Sequence, residues 1–180
     1  MALEQNASGW HHPGQDSHEA PMSEAQLRFT CQIAAPPEAV FDLVADLPQY
    51  GRWLPDSSAF GGTVDVTPYP VRLGTTYLDA GPIQKPGKVT EFDRPAHIGF
   101  QHTVMIRSPI KTDVEARIRY TFEPRDGGTA VVRELALGID LRGLQRLLRP
   151  ALLWGFRKEN LRTLACLKRH LEKPSPGSTH

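Results

Sequence analysis

Hydrophobic and polar residues alternate strictly along several stretches of this chain. Leu27, Phe29, Cys31 and Ile33 are separated by Arg28, Thr30 and Gln32. That period of two predicts a half-buried strand. Ile98, Phe100, His102, Val104 and Ile106 share one face of a second strand, with Gln101 and Thr103 opposite. Val114, Ala116, Ile118, Tyr120 and Phe122 share one face of a third, with Glu115, Arg117, Arg119, Thr121 and Glu123 opposite. One packed face and one wet face is the habit of antiparallel sheets. Shorter strands are predicted over Gly62–Thr67, Gly74–Asp79 and Lys88–Phe92, with a turn over Gly81–Gly87 and another at Asp93-Arg-Pro95. Asp126-Gly-Gly128 is a hairpin signal. The strand after it, Thr129–Ile139, is apolar on both faces except for Arg133 and Glu134, so alternation alone does not orient its side chains.

From Leu144 to Glu172 the period becomes helical. Leu144, Leu147, Leu148, Ala151, Leu152, Leu161, Leu164, Leu167 and Leu171 form a broad apolar stripe, predicted to face the sheet. Pro150 either kinks this segment or separates a short helix at 142–149 from the main one. Between the first and second strands lies Ile33-Ala-Ala-Pro-Pro-Glu-Ala-Val-Phe-Asp-Leu-Val-Ala-Asp-Leu-Pro-Gln-Tyr-Gly-Arg-Trp-Leu-Pro55. Pro36 and Pro37 suit a helix start, where the missing N–H costs nothing. Val40, Phe41 and Val44 then share one face, and Asp46-Leu47-Pro48 ends that helix and begins another.

Seven strands without long helices between the later ones predict an antiparallel α+β architecture. The single apolar face of such a sheet has to be covered, and the closing helix carries the matching stripe. The Pro-Pro-Glu-Ala-Val-Phe helix start, the Asp-Leu-Pro-Gln-Tyr-x-x-Trp-Leu-Pro block and Gly74-Thr-Thr-Tyr resemble the Bet v 1-like and START-like superfamily, in its polyketide cyclase/dehydrase and lipid transport (SRPBCC) branch. The resemblance covers residues 25–173. It implies a helix-grip fold: a curved seven-stranded antiparallel sheet around a long C-terminal helix, with two short helices between strands 1 and 2. It also implies an enclosed apolar ligand. Members of that family often carry a polar cap before the first helix; Ala35 stands there in this chain.

At 180 residues the chain fits one domain. Residues 1–24 and 174–180 lack periodicity and are expected to be disordered tails flanking a ligand-binding domain over 25–173. His11, His12 and His18 fall in the first tail and are read as loose histidines, not a metal site. No apolar run reaches the roughly 18 residues of a spanning helix, and no signal peptide is visible. Cys31 and Cys166 lack metal-ligand spacing and read as reduced thiols in a cytoplasmic protein. Residues 1–24 hold four acids and no Lys or Arg, leaving 21 basic residues against 16 acidic ones in the rest. Residues 142–173 hold nine Lys or Arg and two Glu. Such a helix is either a solvated face, favoured by the dipole at its C-terminal end, or a contact for an anionic membrane or nucleic acid.

There is no Gly-rich phosphate loop, His-Glu-x-x-His, Cys-x-x-Cys or Gly-x-Ser-x-Gly, so no metal or cofactor is expected. What remains are polar residues on apolar faces. His102 lies between Phe100 and Val104, where a neutral imidazole either accepts from one core partner or acts on a ligand as base or carbonyl partner. Tyr120 either orients a ligand or wets its hydroxyl at the rim. Arg133 either pairs with a buried acid or a carboxylate ligand, or points outward from a bulged strand. These three are the catalytic candidates. Tyr77, Asp79 and Glu91 sit on short strands whose faces the pattern leaves open. His97 follows a turn and is expected to be exposed. In the family this chain resembles, the region of Tyr50 and Trp53 borders the pocket mouth; Trp53 reads better as a wedge between helices and sheet. The expected ligand wall is Tyr77, Phe100, His102, Val104, Ile118, Tyr120, Phe122, Leu152 and Phe156.

Three functions compete. The first is binding or transport of a hydrophobic lipid, isoprenoid or polyketide-like molecule by a monomer or weak dimer, with at most transient membrane contact. The second is a polyketide cyclase or aromatase-type enzyme. The third is a ribosome- or nucleic-acid-associated protein, which the lack of a dense basic patch interleaved with aromatics disfavours.

Overall fold

The computed structural model of the chain describes residues 23–107, 112–139, 141 and 143–173. The termini read as tails, with His11, His12 and His18, lie outside the described residues apart from Ser23 and Glu24, which begin the first strand. Seven strands form one antiparallel sheet: β1 (Ser23–Ile33), β2 (Thr63–Thr67), β3 (Thr76–Asp79), β4 (Lys85–Asp93), β5 (His97–Ile106), β6 (Thr112–Arg125) and β7 (Gly128–Ile139). Their order across the sheet is β1-β7-β6-β5-β4-β3-β2. Strands β4 to β7 are consecutive neighbours, so one hairpin leads to the next. β1 crosses to pair with β7, which leaves β1 and β2 as the two edges.

The chain leaves β1 into helix α1 (Pro37–Ala45) and then a 3₁₀ turn over Leu47–Arg52. Pro36 is the N-cap and makes no side-chain capping bond, as expected with no polar residue at this start. Val40, Phe41 and Val44 are the buried face of α1. The Phe41 ring meets Phe92 and Phe122 edge-on, at 5.2 and 5.8 Å between centroids. Burying a side chain of this size contributes about 2–3 kcal/mol. Trp53 and Leu54 are buried beside it, with Trp53 against the Tyr50 ring at 4.9 Å.

A 3₁₀ segment, Gly143–Leu148, precedes α2 (Arg149–Leu171). Pro150 stands in the first turn of α2, so it separates two elements and does not kink one. The C-terminal half of α2 is tied to the β1–α1 junction. Lys168 donates to Gln32 O at 2.6 Å, and Glu172 Oε1 accepts the Ala34 N–H at 2.8 Å. Leu164, Cys166 and Leu167 are buried there.

The predicted apolar stripe needs correction. Leu164 and Leu167 face the core and Leu152 and Leu171 are half-buried, but Ala151, Leu144, Leu147, Leu148 and Leu161 are exposed. The 3₁₀ geometry rotates its leucines away from the sheet, and the hydroxyl of Thr163 and the amide of Asn160 take buried positions by bonding Glu159 O and Phe156 O. A second correction concerns the turn over Gly81–Gly87, which is shorter. β4 starts at Lys85, and Lys85, Pro86 and Gly87 pair with Asp79, Leu78 and Tyr77. Proline and glycine signalled a turn where they stand in a strand. A register shift between Val89 and Glu91 then lets both Val89 and Phe92 reach the core.

Candidate functional site

The inner faces of β3 to β7, the Ser57–Phe60 loop and the first half of α2 enclose a cavity of about 560 Å³. α2 is held over it by Arg162, which donates to Pro55 O at 2.8 Å, and by Glu159, which accepts from Ser57 Oγ at 3.1 Å. Most of the wall is apolar: Ile83, Val104, Ile106, Ile118, Leu135, Leu152 and Phe156. Strand alternation delivers this wall, because Phe100, His102, Val104 and Ile106 on β5 all point inward, opposite Ile118, Ala116, Val114 and Thr112 of β6. Exposed Trp154, Gly155 and Lys158 of α2 also line it, so the cavity opens along that helix.

Two polar groups converge on the cavity. The first spans β3, β4 and β5. The Tyr77 hydroxyl lies 2.5 Å from His102 Nε2, although β4 runs between their strands. Gly87 of β4 pairs with Tyr77 on one side and His102 on the other, and the missing side chain is what lets the Tyr77 ring cross. Behind them, Asp79 Oδ2 stands 3.9 Å from His102 Nδ1 and 3.7 Å from the Lys85 ammonium. Asp79 Oδ1 accepts from Thr63 Oγ1 at 2.7 Å, and Lys85 donates to Ala59 O at 2.8 Å.

Burial pushes His102 down to about 4, with Asp79 opposing that shift. The imidazole is therefore neutral near pH 7. In the tautomer that fits these partners, Nε2 accepts the Tyr77 proton and Nδ1–H faces Asp79. Burial, and then the Asp79 charge, raise the Tyr77 hydroxyl well above its ordinary value, so it stays protonated. Burial lowers Lys85, against the pull of Asp79. A protonated phenol hydrogen-bonded to a neutral imidazole, with a carboxylate 3.9 Å behind it, is a donor–acceptor pair through which a proton can be passed.

The second polar group is Arg133 on β7. Its side chain points inward and is 8% exposed, which settles the orientation that alternation left open. Arg133 Nη1 donates to the Tyr120 hydroxyl of β6, and the guanidinium lies 4.7 Å from the Tyr120 ring centroid. Among the described residues no carboxylate forms a salt bridge with it, and its Nε has no hydrogen-bond partner. Burial pulls it down to about 10, so it is still cationic near neutral pH. Phe100 stands between the two polar groups, 6.1 Å from Tyr77 and 6.3 Å from Tyr120 between ring centroids. On α2, Asn160 Oδ1 is also buried without a partner. Burial works to raise Glu159, and the hydrogen bonds from Arg162 and Ser57 outweigh it to leave the carboxyl lowered.

Of the residues named from sequence, the structure brings Tyr77, Phe100, His102, Val104, Ile118, Tyr120, Arg133, Leu152 and Phe156 to the cavity, together with Tyr50 and Asp79. Phe122 is not in the wall. Its ring is stacked on Tyr120 at 6.0 Å and meets Phe41, because two residues further along β6 it lies under α1. Glu91 lies on the outer face with Arg119 at 3.0 Å. His97 is half-buried, between Glu91 and Asp93, and not freely exposed. Trp53 is buried with Tyr50 against it, and Tyr50 donates its hydroxyl to Val44 O at 2.6 Å. Lys85 was missed, hidden in the supposed turn. Asn160 and Glu159 were missed because polar residues in a basic helix read as solvated. Among the described residues no group of three or more His, Cys, Asp or Glu converges as a metal site, and no helix is long and apolar enough to cross a membrane.

Comparison with known proteins agrees with this architecture. The sequence profile described as polyketide cyclase / dehydrase and lipid transport matches residues 24–172. No curated protein sequence matches the chain. Among solved structures, the di-domain ARO/CYC BexL from the BE-7585A biosynthetic pathway superposes with a TM-score of 0.66 at 16% identity, over 87% of this chain and 52% of its own. TTHA0849 from Thermus thermophilus gives 0.62 at 20% identity, over 82% and 97%. Ara h 8.0201 gives 0.60 at 9% identity, over 83% and 98%. At these identities the likeness is one of fold.

Proposed function

Starting from a chain that belongs to the polyketide cyclase/dehydrase and lipid transport family, we propose that it binds a mainly apolar small molecule with an oxygen-bearing end, held between the sheet and α2. The observation that carries this is the cavity itself: about 560 Å³ of largely apolar wall onto which few polar groups converge. That is the usual make-up of a small-molecule site. The ligand's apolar body lies against Val104, Ile118, Leu152 and Phe156. Its oxygen end meets Arg133 and Tyr120, or Tyr77 and His102. Isoprenoids, long-chain lipids and polyketide-like chains have this chemistry.

The test is a thermal-shift and native mass spectrometry panel of long-chain acids, alcohols and polyketide-like aromatics. A bound ligand raises the melting temperature with its concentration. The reading fails if no compound shifts the melt and the protein purified from cells carries no small molecule.

One observation favours a second reading, catalysis of the cyclase or dehydratase type: the Tyr77–His102 contact with Asp79 behind it. Such a relay supports proton transfer at a carbonyl-bearing chain. His102→Phe separates the two. In a carrier it retains or strengthens binding of apolar ligands. In an enzyme it leaves binding nearly intact and lowers turnover by roughly 10²–10⁴.

A further inference from the structure

The segment that opens the cavity carries an unusual surface. Leu144 is 85% exposed, Leu147 77%, Leu148 42%, and Trp154 on α2 is 64% exposed. Leu144 and Leu147 are three residues apart on a 3₁₀ turn, so they stand one above the other on the same side. On α2, Trp154, Lys158 and Leu161 follow at helical spacings of four and three, with Leu161 47% exposed. Lys158 holds its ammonium 5.4 Å from the Trp154 ring centroid. From Leu141 to Lys158 the sequence has five Arg or Lys and no acidic residue. Among the described residues Arg146, Arg157 and Lys158 have no ion-pair partner, and Arg146 and Arg149 donate to the backbone carbonyls of Leu141 and Glu24.

We propose that this face, Leu144 to Leu161, docks on an anionic membrane surface and sets the cavity mouth against it. Exposed leucines and a tryptophan among basic side chains are the composition of an interfacial segment, with the apolar side chains in the acyl boundary and the basic ones at the headgroups. A second copy of the chain is a poor occupant, because two-fold contact sets the same patch on itself and brings its cations together. Nucleic acid would leave the leucines unused. Trp154, Gly155 and Lys158 belong both to this face and to the cavity wall, so an apolar ligand passes between bilayer and cavity without crossing water. The docking itself does not depend on which ligand the cavity holds.

The experiment is co-sedimentation of the full chain with phosphatidylcholine vesicles, with and without phosphatidylglycerol. Expected is binding to the mixed vesicles that weakens with added salt, and little binding to phosphatidylcholine alone. Leu144→Ser with Leu147→Ser is expected to reduce vesicle binding roughly ten-fold or more. Arg146→Gln with Arg157→Gln is expected to remove most of the preference for phosphatidylglycerol. These four side chains lie outside the cavity wall, so cavity binding of a neutral hydrophobic dye such as Nile red, read by its fluorescence, and the melting temperature should be unchanged in both variants. The proposal is overturned if the wild-type chain ignores both vesicles, if the Leu144/Leu147 variant sediments as well as the wild type, or if sedimentation velocity shows a dimer that this variant dissociates. A wild-type chain that binds the dye but no vesicle overturns the docking alone. A wild-type chain that sediments with vesicles but takes up no dye overturns the cavity reading alone.

Discussion

The ring of Tyr77 fills the place that a side chain at position 87 would take. A Cβ on Gly87 would stand 2.5 Å from Tyr77 Cζ and 2.9 Å from its hydroxyl oxygen. Glycine in a central strand is ordinarily a weakness, and close approach of another group is a common reason for it. Here it lets a tyrosine on β3 reach a histidine on β5 over the strand between them. Gly87→Ala is therefore expected to displace the ring and break the contact with His102, at a cost of about 1–3 kcal/mol. Urea unfolding reads the cost, and the His102 ring signals in NMR read the broken contact. A variant with native stability and unchanged His102 signals would sink this account.

His102 makes stability depend on pH with a defined sign. Its folded value, about 4, lies below the ordinary 6.5 because burial disfavours the cation. Between those values the unfolded chain binds a proton that the native protein does not. The stabilising effect is whole above pH 6.5 and is lost as pH falls toward 4, with a slope of at most about 1.4 kcal/mol per pH unit. His102→Gln should flatten the stability profile in that window. A wild-type profile already flat there would show that the imidazole titrates normally.

Gly128 begins β7 at a φ of 152°, and a Cβ on it would meet Ile33 O at 2.0 Å and Ala34 Cα at 2.9 Å. Backbone lies on that side, so nothing can yield by a rotamer change. The next residue, Thr129, fastens the same corner by donating to Ala35 O at 2.6 Å. Gly128→Ala is expected to cost more than about 3 kcal/mol, while Thr129→Val costs about 1–2 kcal/mol. Denaturant midpoints of the two variants check the order. A Gly128→Ala protein milder than Thr129→Val would mean that the β1–α1 corner moves easily.

Strand alternation made β5 and β6 legible, because each has one apolar face opposite polar residues, Gln101 and Thr103 on β5 and charged side chains on β6, and the inward set from Ile98 to Ile106 is the set that faces the core and cavity. It failed on β7, where Val132 and Ala136 sit on the face opposite Val131 and Leu135. With apolar residues on both sides the pattern has no phase, and Arg133 could not be oriented until pairing with β1 and β6 was known. The helix misled in the other direction. Leucine was equated with core, and Leu144, Leu147 and Leu161 are exposed. The Tyr77–His102 contact was out of reach from sequence, since it depends on a register that places Gly87 between them. Lys85 was lost for a related reason, because Pro82 and Pro86 around it signal a turn.

Arg133 is expected to govern which ligands bind. A cation inside an apolar wall, with an Nε that has no hydrogen-bond partner among the described residues, favours ligands ending in a carboxylate or enolate over the matching alcohol. Arg133→Met should remove that preference by roughly ten-fold or more, since hydrogen bonds to charged groups are worth about 1.5–3 kcal/mol. Paired titrations of a long-chain acid and its alcohol give the ratio. Equal losses for both would mean that the guanidinium only shapes the wall.

The same residue bears on how this protein can be engineered. Position 133 lies in line with Val131, Leu135 and Leu137, all buried on the inner face of β7. A search for thermostable variants would find an aliphatic residue there early, since burying a lone cation opposes folding. Each such improvement would erase a recognition feature, so selection for heat resistance and selection for ligand choice pull this one codon in opposite directions.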